Sequence, residues 1–386
     1  LAEGTPHLDG AALAEAFERL GGSLASFATW DAVHLRTTVL SARLRPAFRL
    51  MADVLRTPAF PLREVERLRQ ERLAELLELR SEPRGLADER FSTALYRPAS
   101  RLSLPEGGSE ETVAAIPPED LAAWHATRVV PEATTVVVVG DVDPGEVVSV
   151  SMDLLGDWSA AAPAARSVDD RPARQARAIS VLHRPGAPQT ELRLGHVGLR
   201  RDHPDHFDVV LMNAILGGVF NSRINLNLRE RHGYTYGASS SYEWRRDAGP
   251  FCVSTAVATG VTAPAVREVI AELERMQDAP PTAEELALAQ SYLDGVFPLR
   301  FETTDAIASA LASLRILRLP DEYFDTYRAR VRAVRAEGVR LAAQRHLHLE
   351  ALQVLAVGDS EQVAEPLRAL SFAPVEVVQD VAGRDA

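Results

Sequence analysis

Two short runs, Leu216-Gly217-Gly218-Val219-Phe220-Asn221-Ser222-Arg223 and Leu228-Arg229-Glu230-Arg231-His232-Gly233-Tyr234-Thr235-Tyr236-Gly237, concentrate more reactive side chains than any other part of the 386-residue chain. Asp205–Leu216 reads as a helix with Val209, Met212 and Leu216 on its apolar face, stopped by Gly217-Gly218. Ser222 is placed to cap a second helix that ends at Gly233, and a strand is expected from about Tyr234. Arg229 then falls in the last turn of that helix and Tyr236 on the emerging strand. A reversal of the chain between them would bring guanidinium and phenol to one spot. There they would offer hydrogen-bond donors to a carbonyl oxygen, or to the oxyanion it becomes in acyl transfer. A plainer account fits the same residues: an arginine complementing a helix C-terminus and a tyrosine on a half-buried strand. Spacing by itself favours the plainer account.

The ten histidines offer two close pairs, His203-Pro204-Asp205-His206 and His346-Leu347-His348. The first lies in a loop before a helix and the second puts its side chains on different helix faces. Neither has a glutamate between its histidines to act as a base, so both pairs read as surface residues and no metal ligand is assigned. Glu78, with Glu71 and Glu75, reads as one face of a solvated helix; one carboxylate does not hold zinc.

The elements that position these residues recur twice along the chain. Pro61-Leu62-Arg63-Glu64 leads into Leu68, Gln70 and Leu73, and Pro281-Thr282-Ala283-Glu284 leads into Leu288, Gln290 and Leu293, an offset of 281 − 61 = 220. Val136–Val139 with Gly140-Asp141 is echoed by Val354–Val357 with Gly358-Asp359, an offset of 359 − 141 = 218. A period this long indicates two domains of one fold, not a solenoid. In each half a strand comes first, Val33–Leu40 or Phe251–Thr259. An amphipathic helix follows, carrying Phe48, Met51 and Leu55 or Val266, Ile270, Leu273 and Met276. A second helix opens at Pro61 or Pro281, and a buried strand, Thr134–Val139 or Leu352–Val357, closes the half. Strands and helices segregate, so the class is α+β, with two homologous domains that are each an antiparallel sheet covered by helices on one face. The boundaries expected are 1–160 and 177–386, joined by an Ala/Pro/Arg-rich linker at 161–176.

Composition narrows the function by exclusion. Forty-two basic residues against 54 acidic give a net charge of −12, which argues against a nucleic-acid partner. Every one of the 42 is arginine, so the lysine-dependent chemistries of P-loops, pyridoxal enzymes and protein kinases are excluded. A single cysteine, Cys252, leaves no internal disulfide and suits the cytoplasm better than the periplasm. No uninterrupted apolar run is long enough to span a membrane.

The run from Gly217 to Gly237, with its Gly-Gly, Asn-Ser-Arg, Leu-Arg-Glu and Gly-Tyr-Thr-Tyr-Gly, resembles the second-domain signature of the pitrilysin family of zinc metallopeptidases. In that family an arginine and a tyrosine seven residues apart contact the substrate, and 236 − 229 = 7 carries this role to Arg229 and Tyr236. The resemblance covers nearly the whole chain. Leu20 through Asp31 looks like the edge strand on which family members lay a substrate peptide, and Pro58–Leu79 like the helix after it. The family's chemistry rests on His-x-x-Glu-His, which does not occur here. Glu78 falls where the family has its third zinc ligand.

The resemblance therefore implies the non-catalytic partner of a two-subunit bacterial peptidase. Such a chain is inactive alone, has no catalytic or metal-binding residue of its own, and lends Arg229 and Tyr236 to a homologous catalytic chain that holds the zinc. The alternatives are a complete peptidase whose motif lies upstream of Leu1, and a structural or peptide-holding subunit, as a heterodimer or homodimer. Ala2-Glu3 before Gly4-Thr5, where catalytic chains carry an aromatic and a basic residue, favours the partner. So does Leu24–Ala28, which lacks the Asn and Thr common in catalytic chains.

Overall fold

A computed structural model describes residues 1–160 and 167–379. They divide into two compact units: Leu1–Leu77, Glu106–Ser167 and Pro298–Leu319 form one, and Glu78–Pro105, Val168–Phe297 and Pro320–Ala386 the other. Each half of the chain thus lends a segment to the other's unit. The first part of the expected linker, 161–166, lies outside the described residues.

In the first unit, strands β1 (Leu24–Ala28) and β2 (Val33–Thr37) form a two-stranded antiparallel hairpin with Ser26 opposite Leu35. Beneath it, Leu13 and Phe17 of the helix Gly10–Arg19 meet Val54 of the helix Leu44–Arg56, with Leu24 and Leu35 packed on them. Arg36 of β2 pairs with Asp305 of the helix Thr304–Ile316. The helix Leu62–Ser81 begins directly after Pro61, as expected, and buries only Leu76 along its length. Its outer face is laced by ion pairs of Arg67 with Glu64 and Glu71, and of Arg72 with Glu75.

Two expectations for this half need correction. The first strand stops at Thr37 instead of Leu40, giving way to a 3-10 turn at Ser41–Arg43. Thr134–Val139 is not a strand: it joins no ladder, and Val136 stands 43% exposed. The physical reason is a lack of partners. A valine run becomes a strand only where other strands satisfy its N–H and C=O groups.

The second unit is built on a six-stranded sheet of order β5-β6-β4-β7-β3-β8. Its strands are β3 (Ala178–His183), β4 (Gln189–Val197), β5 (Ala238–Tyr242), β6 (Pro250–Ala258), β7 (Gln353–Gly358) and β8 (Val375–Val378). Pairing is antiparallel from β5 through β7, and β3 then runs parallel to both β7 and β8. Alternation decides which residues enter the core. Phe251, Val253, Thr255 and Val257 of β6 are buried with Leu192 and Leu194 of β4, beneath Val266, Val269, Leu273 and Met276 of the helix Thr262–Asp278. The opposite face also carries a helix, Pro83–Leu95. Its Asp88 receives the Arg193 guanidinium from the centre of β4 at 2.6 Å, and Glu191 takes a second bond at 2.9 Å. Cys252 shares this second face, and burial pushes its thiol up to about 11. Helices thus pack on the sheet, and the expected α+β class holds.

Among the described residues, His206–Arg231 is the stretch long and apolar enough by composition to suit a membrane crossing. Most of it is buried in the unit's core, and it is broken by a turn around Val219–Asn221.

Candidate functional site

The helix from His206 stops at Gly217-Gly218, as expected, but its last turn is not a regular α-helix. The helix widens there into a π-helical turn, Ala214–Gly218, capped by Val219. The glycine requirement comes from packing: a Cβ on Gly217 would sit 2.5 Å from the Ser240 hydroxyl on β5. Ser240 is locked to the same helix, donating to Asn213 Oδ1 at 2.8 Å while its carbonyl accepts from Asn213 Nδ2 at 3.1 Å.

The second helix, Arg223–Asn225, continues as a π-helical turn over Leu226–Arg231. Ser222 occupies the expected cap position with extended backbone, but its hydroxyl makes no cap bond, a correction to the sequence reading. Arg223 anchors this segment instead. Its guanidinium forks onto both Glu285 oxygens at 2.6 and 2.8 Å. Glu285 in turn closes the capping box of the helix Ala283–Val296 by accepting from the Thr282 amide at 2.8 Å. That guanidinium, with the cap bonds, holds the Glu285 carboxyl down at about 2.

Arg229 sits within the π-helical turn, its guanidinium 4.8 Å above the Phe220 ring and 3.5 Å from the Glu230 carboxylate. The helix closes through Gly233 in left-handed conformation, φ 65°, whose amide donates to Arg229 O at 3.1 Å. A loop, not a strand, follows, because β5 begins only at Ala238. Residues on either side of Tyr236 are tied inward. The Thr235 hydroxyl donates to Ala256 O at 2.7 Å and accepts from the Gly237 amide at 3.1 Å, and Thr255 Oγ1 lies 3.0 Å from it. The Tyr234 ring stacks on His232 with centroids 4.9 Å apart. Tyr236 is left pointing outward at 93% exposure.

Asn225 holds both sides of this arrangement, and sequence reasoning missed it. Its Nδ2 donates to Phe220 O at 2.7 Å, and its Oδ1 accepts from the Ala238 amide at 3.0 Å. One amide thus fixes the platform under Arg229 and the start of the strand beyond Tyr236. Below it, Asn227 Nδ2 reaches Glu272 at 2.8 Å. The Asn-Ser-Arg-x-Asn-x-Asn spacing was visible, but the tertiary partners that give it meaning were not. Arg229 and Tyr236 share one pinned segment, and no hydrogen bond joins their side chains among the described residues.

Of each histidine pair read as a surface feature, one member is buried and the other, His203 or His348, is partly exposed. His206 is 5% exposed and wedged against Trp244 and Phe207, where burial pushes its imidazole down to about 2. His346 is 8% exposed. Glu78 does stand exposed on its helix, and it belongs to no group of three or more metal-ligating side chains among the described residues. At the place where relatives would put the third ligand of a zinc ion, the residues present therefore do not fit one.

Residues 1–104 match the description insulinase (peptidase family M16), and residues 115–293 match peptidase M16 inactive domain. The chain belongs to peptidase family M16, the pitrilysin-type zinc peptidases. An uncharacterised zinc protease of Mycobacterium leprae is 26% identical over 308 residues, 78% of this chain and 67% of that protein. One from Bacillus subtilis is 22% identical over 307 residues, 79% and 73% of the two chains. A solved peptidase M16 inactive domain from Pseudomonas fluorescens superposes with TM-score 0.82 at 24% identity, covering 93% of this chain and 86% of that one. A chain of Complex III2 from Candida albicans gives TM-score 0.74 at 13% identity, covering 94% and 89%. Those two likenesses establish the fold.

Proposed function

We propose that this chain is the non-catalytic subunit of a two-subunit M16 peptidase, binding unfolded peptides and presenting Arg229 and Tyr236 to the scissile bond. The observation that carries the reading is Tyr236 itself. A fully solvated ring on a loop whose flanking residues are each tied down is costly as structure and useful as a contact. His-x-x-Glu-His is absent from the 386 residues, so the reading places zinc, general base and attacking water on a homologous partner chain. The peptide would add a strand to the open edge of β1, with main-chain hydrogen bonds giving affinity over many sequences. At the bond to be cut, the Tyr236 phenol and Arg229 guanidinium would donate to the carbonyl oxygen as it gains charge.

The test reconstitutes the chain with its homologous catalytic subunit and compares Tyr236→Phe with the natural chain. Peptide turnover should fall about 10²-fold, the cost typical of one lost oxyanion donor, while the two chains still co-elute. Unchanged turnover sinks the role. If removing Arg229 and Tyr236 together also leaves turnover intact, the chain is a scaffold.

A further inference from the structure

His203, Asp205 and His346 bring two imidazoles and a carboxylate together, their ligand atoms all within 4.8 Å of one another. The first two flank Pro204 in the turn before the helix His206–Asn213, and the third ends the helix Ala336–His346, 141 residues beyond Asp205. The turn is tight: the His206 amide donates to His203 O at 3.0 Å, and the Asp205 amide donates to His203 Nδ1 at 3.1 Å. The second bond makes Nδ1 the acceptor, so Nε2 carries the ring proton, and an ion bound at Nδ1 would displace the Asp205 amide. Asp205 occupies the N-cap position yet makes no cap bond to its own helix. Its carboxylate turns away, and Oδ2 accepts from His346 Nε2 at 2.8 Å and from Arg345 at 3.0 Å. The two imidazole rings meet edge to face with centroids 4.9 Å apart.

From this geometry we infer that His203, Asp205 and His346 form a zinc site, with water completing the tetrahedron. Donor atoms 2.0–2.2 Å from a tetrahedral ion lie about 3.3 Å from one another, so the 2.8 Å pair opens slightly and the half-buried His203 ring closes in by at most about 1.5 Å. Two imidazoles and one carboxylate suit zinc and its transition-metal neighbours, not magnesium or calcium. The Arg345 guanidinium is the competitor: it holds the same carboxylate oxygen that the ion would take. The ion would staple the turn at 203–205 to the end of the helix at His346, closing a loop that contains the whole Arg229–Tyr236 segment. The site shares no residue with that segment, and its test does not depend on peptidase activity.

Tag-free chain is dialysed against Zn2+ and then against metal-free buffer, and its zinc content is measured. Co2+ serves as a spectroscopic probe, and Mg2+ and the exposed-histidine variant His7→Ala serve as controls. One zinc per chain, a zinc-dependent rise in Tm, and tetrahedral Co2+ absorption are expected, all lost in His203→Gln and His346→Gln. Because His346 is buried, a folding defect there is possible in that variant alone; His203→Gln changes only a turn and decides the matter. Arg345→Gln removes a positive charge beside the ion and frees the Asp205 oxygen, and should tighten zinc binding about tenfold. No bound zinc, or equal zinc in the natural chain and His203→Gln, overturns the inference.

Discussion

Tyr236 and Arg223 show how differently two residues of one signature can serve. Tyr236 contributes nothing to packing, whereas Arg223, only six positions before Arg229, is 9% exposed and holds the loop system through Glu285. Its removal should cost about 3 kcal/mol, as expected when one member of a largely buried pair is left alone. The pH dependence follows from Glu285. Its folded-state pKa, about 2, lies below the ordinary 4.5, so the pair stabilises fully above 4.5 and loses that contribution as pH falls from 4.5 toward 2. Denaturant titrations across that range should show a shallower acid limb for Arg223→Ala than for the natural chain. At this scale the sequence was legible where the signal is local, as with Gly217-Gly218 and Gly233, which close their helices. It was silent where meaning comes from a distant partner: Glu285 for Arg223, Ala238 for Asn225, His346 for Asp205.

The β-hairpin of the first unit separates two kinds of backbone amide. Thr29 N donates to Ala32 O at 2.8 Å, which makes 29/32 a hydrogen-bonded pair and, by alternation, 27/34 and 25/36 as well. Leu24, Ser26 and Ala28 therefore turn their N–H groups to the open edge. Ser26→Pro removes one edge donor without touching a bond to β2, and proline is tolerated on edge strands. It should weaken capture of an unfolded peptide, read by fluorescence anisotropy, while the Tm stays nearly unchanged; Ala25→Pro should instead unfold the hairpin. Unaltered peptide affinity in Ser26→Pro would remove β1 as the docking edge. Elements were readable wherever periodicity and punctuation agreed, as for the helices after Pro61 and Pro281 and for β6 and β7. Thr134–Val139 was misread because β-propensity speaks only of a residue's preference and not of whether neighbouring strands are there to meet it.

Over the whole chain the repeat seen at an offset of 218–220 survives as an order of elements, strand, helix, helix and helix, in both halves. What it does not convey is the exchange of segments, by which the helix Pro83–Leu95 packs on the sheet of the second unit through Asp88 and Arg193. A partnered assembly would then carry two kinds of zinc, one on the catalytic chain and one between His203, Asp205 and His346. Native mass spectrometry of the complex from its own source should find two ions per heterodimer, falling to one with His203→Gln and with peptidase turnover retained. A single ion in both cases would separate the two proposals, leaving the partner reading intact and removing the staple.

Cys252 makes the second unit its own stopwatch. Only a thiolate attacks an alkylating reagent, and burial holds this thiol up at about 11, so the folded chain gives the reagent almost nothing to attack. Cys252 lies on β6 opposite Gly195 of β4, in the middle of the sheet. With no other sulfhydryl in the 386 residues and the Cys252 side chain partly exposed, labelling reports the small thiolate fraction at one place on β6, and its acceleration in denaturant would report how readily the sheet's centre comes apart.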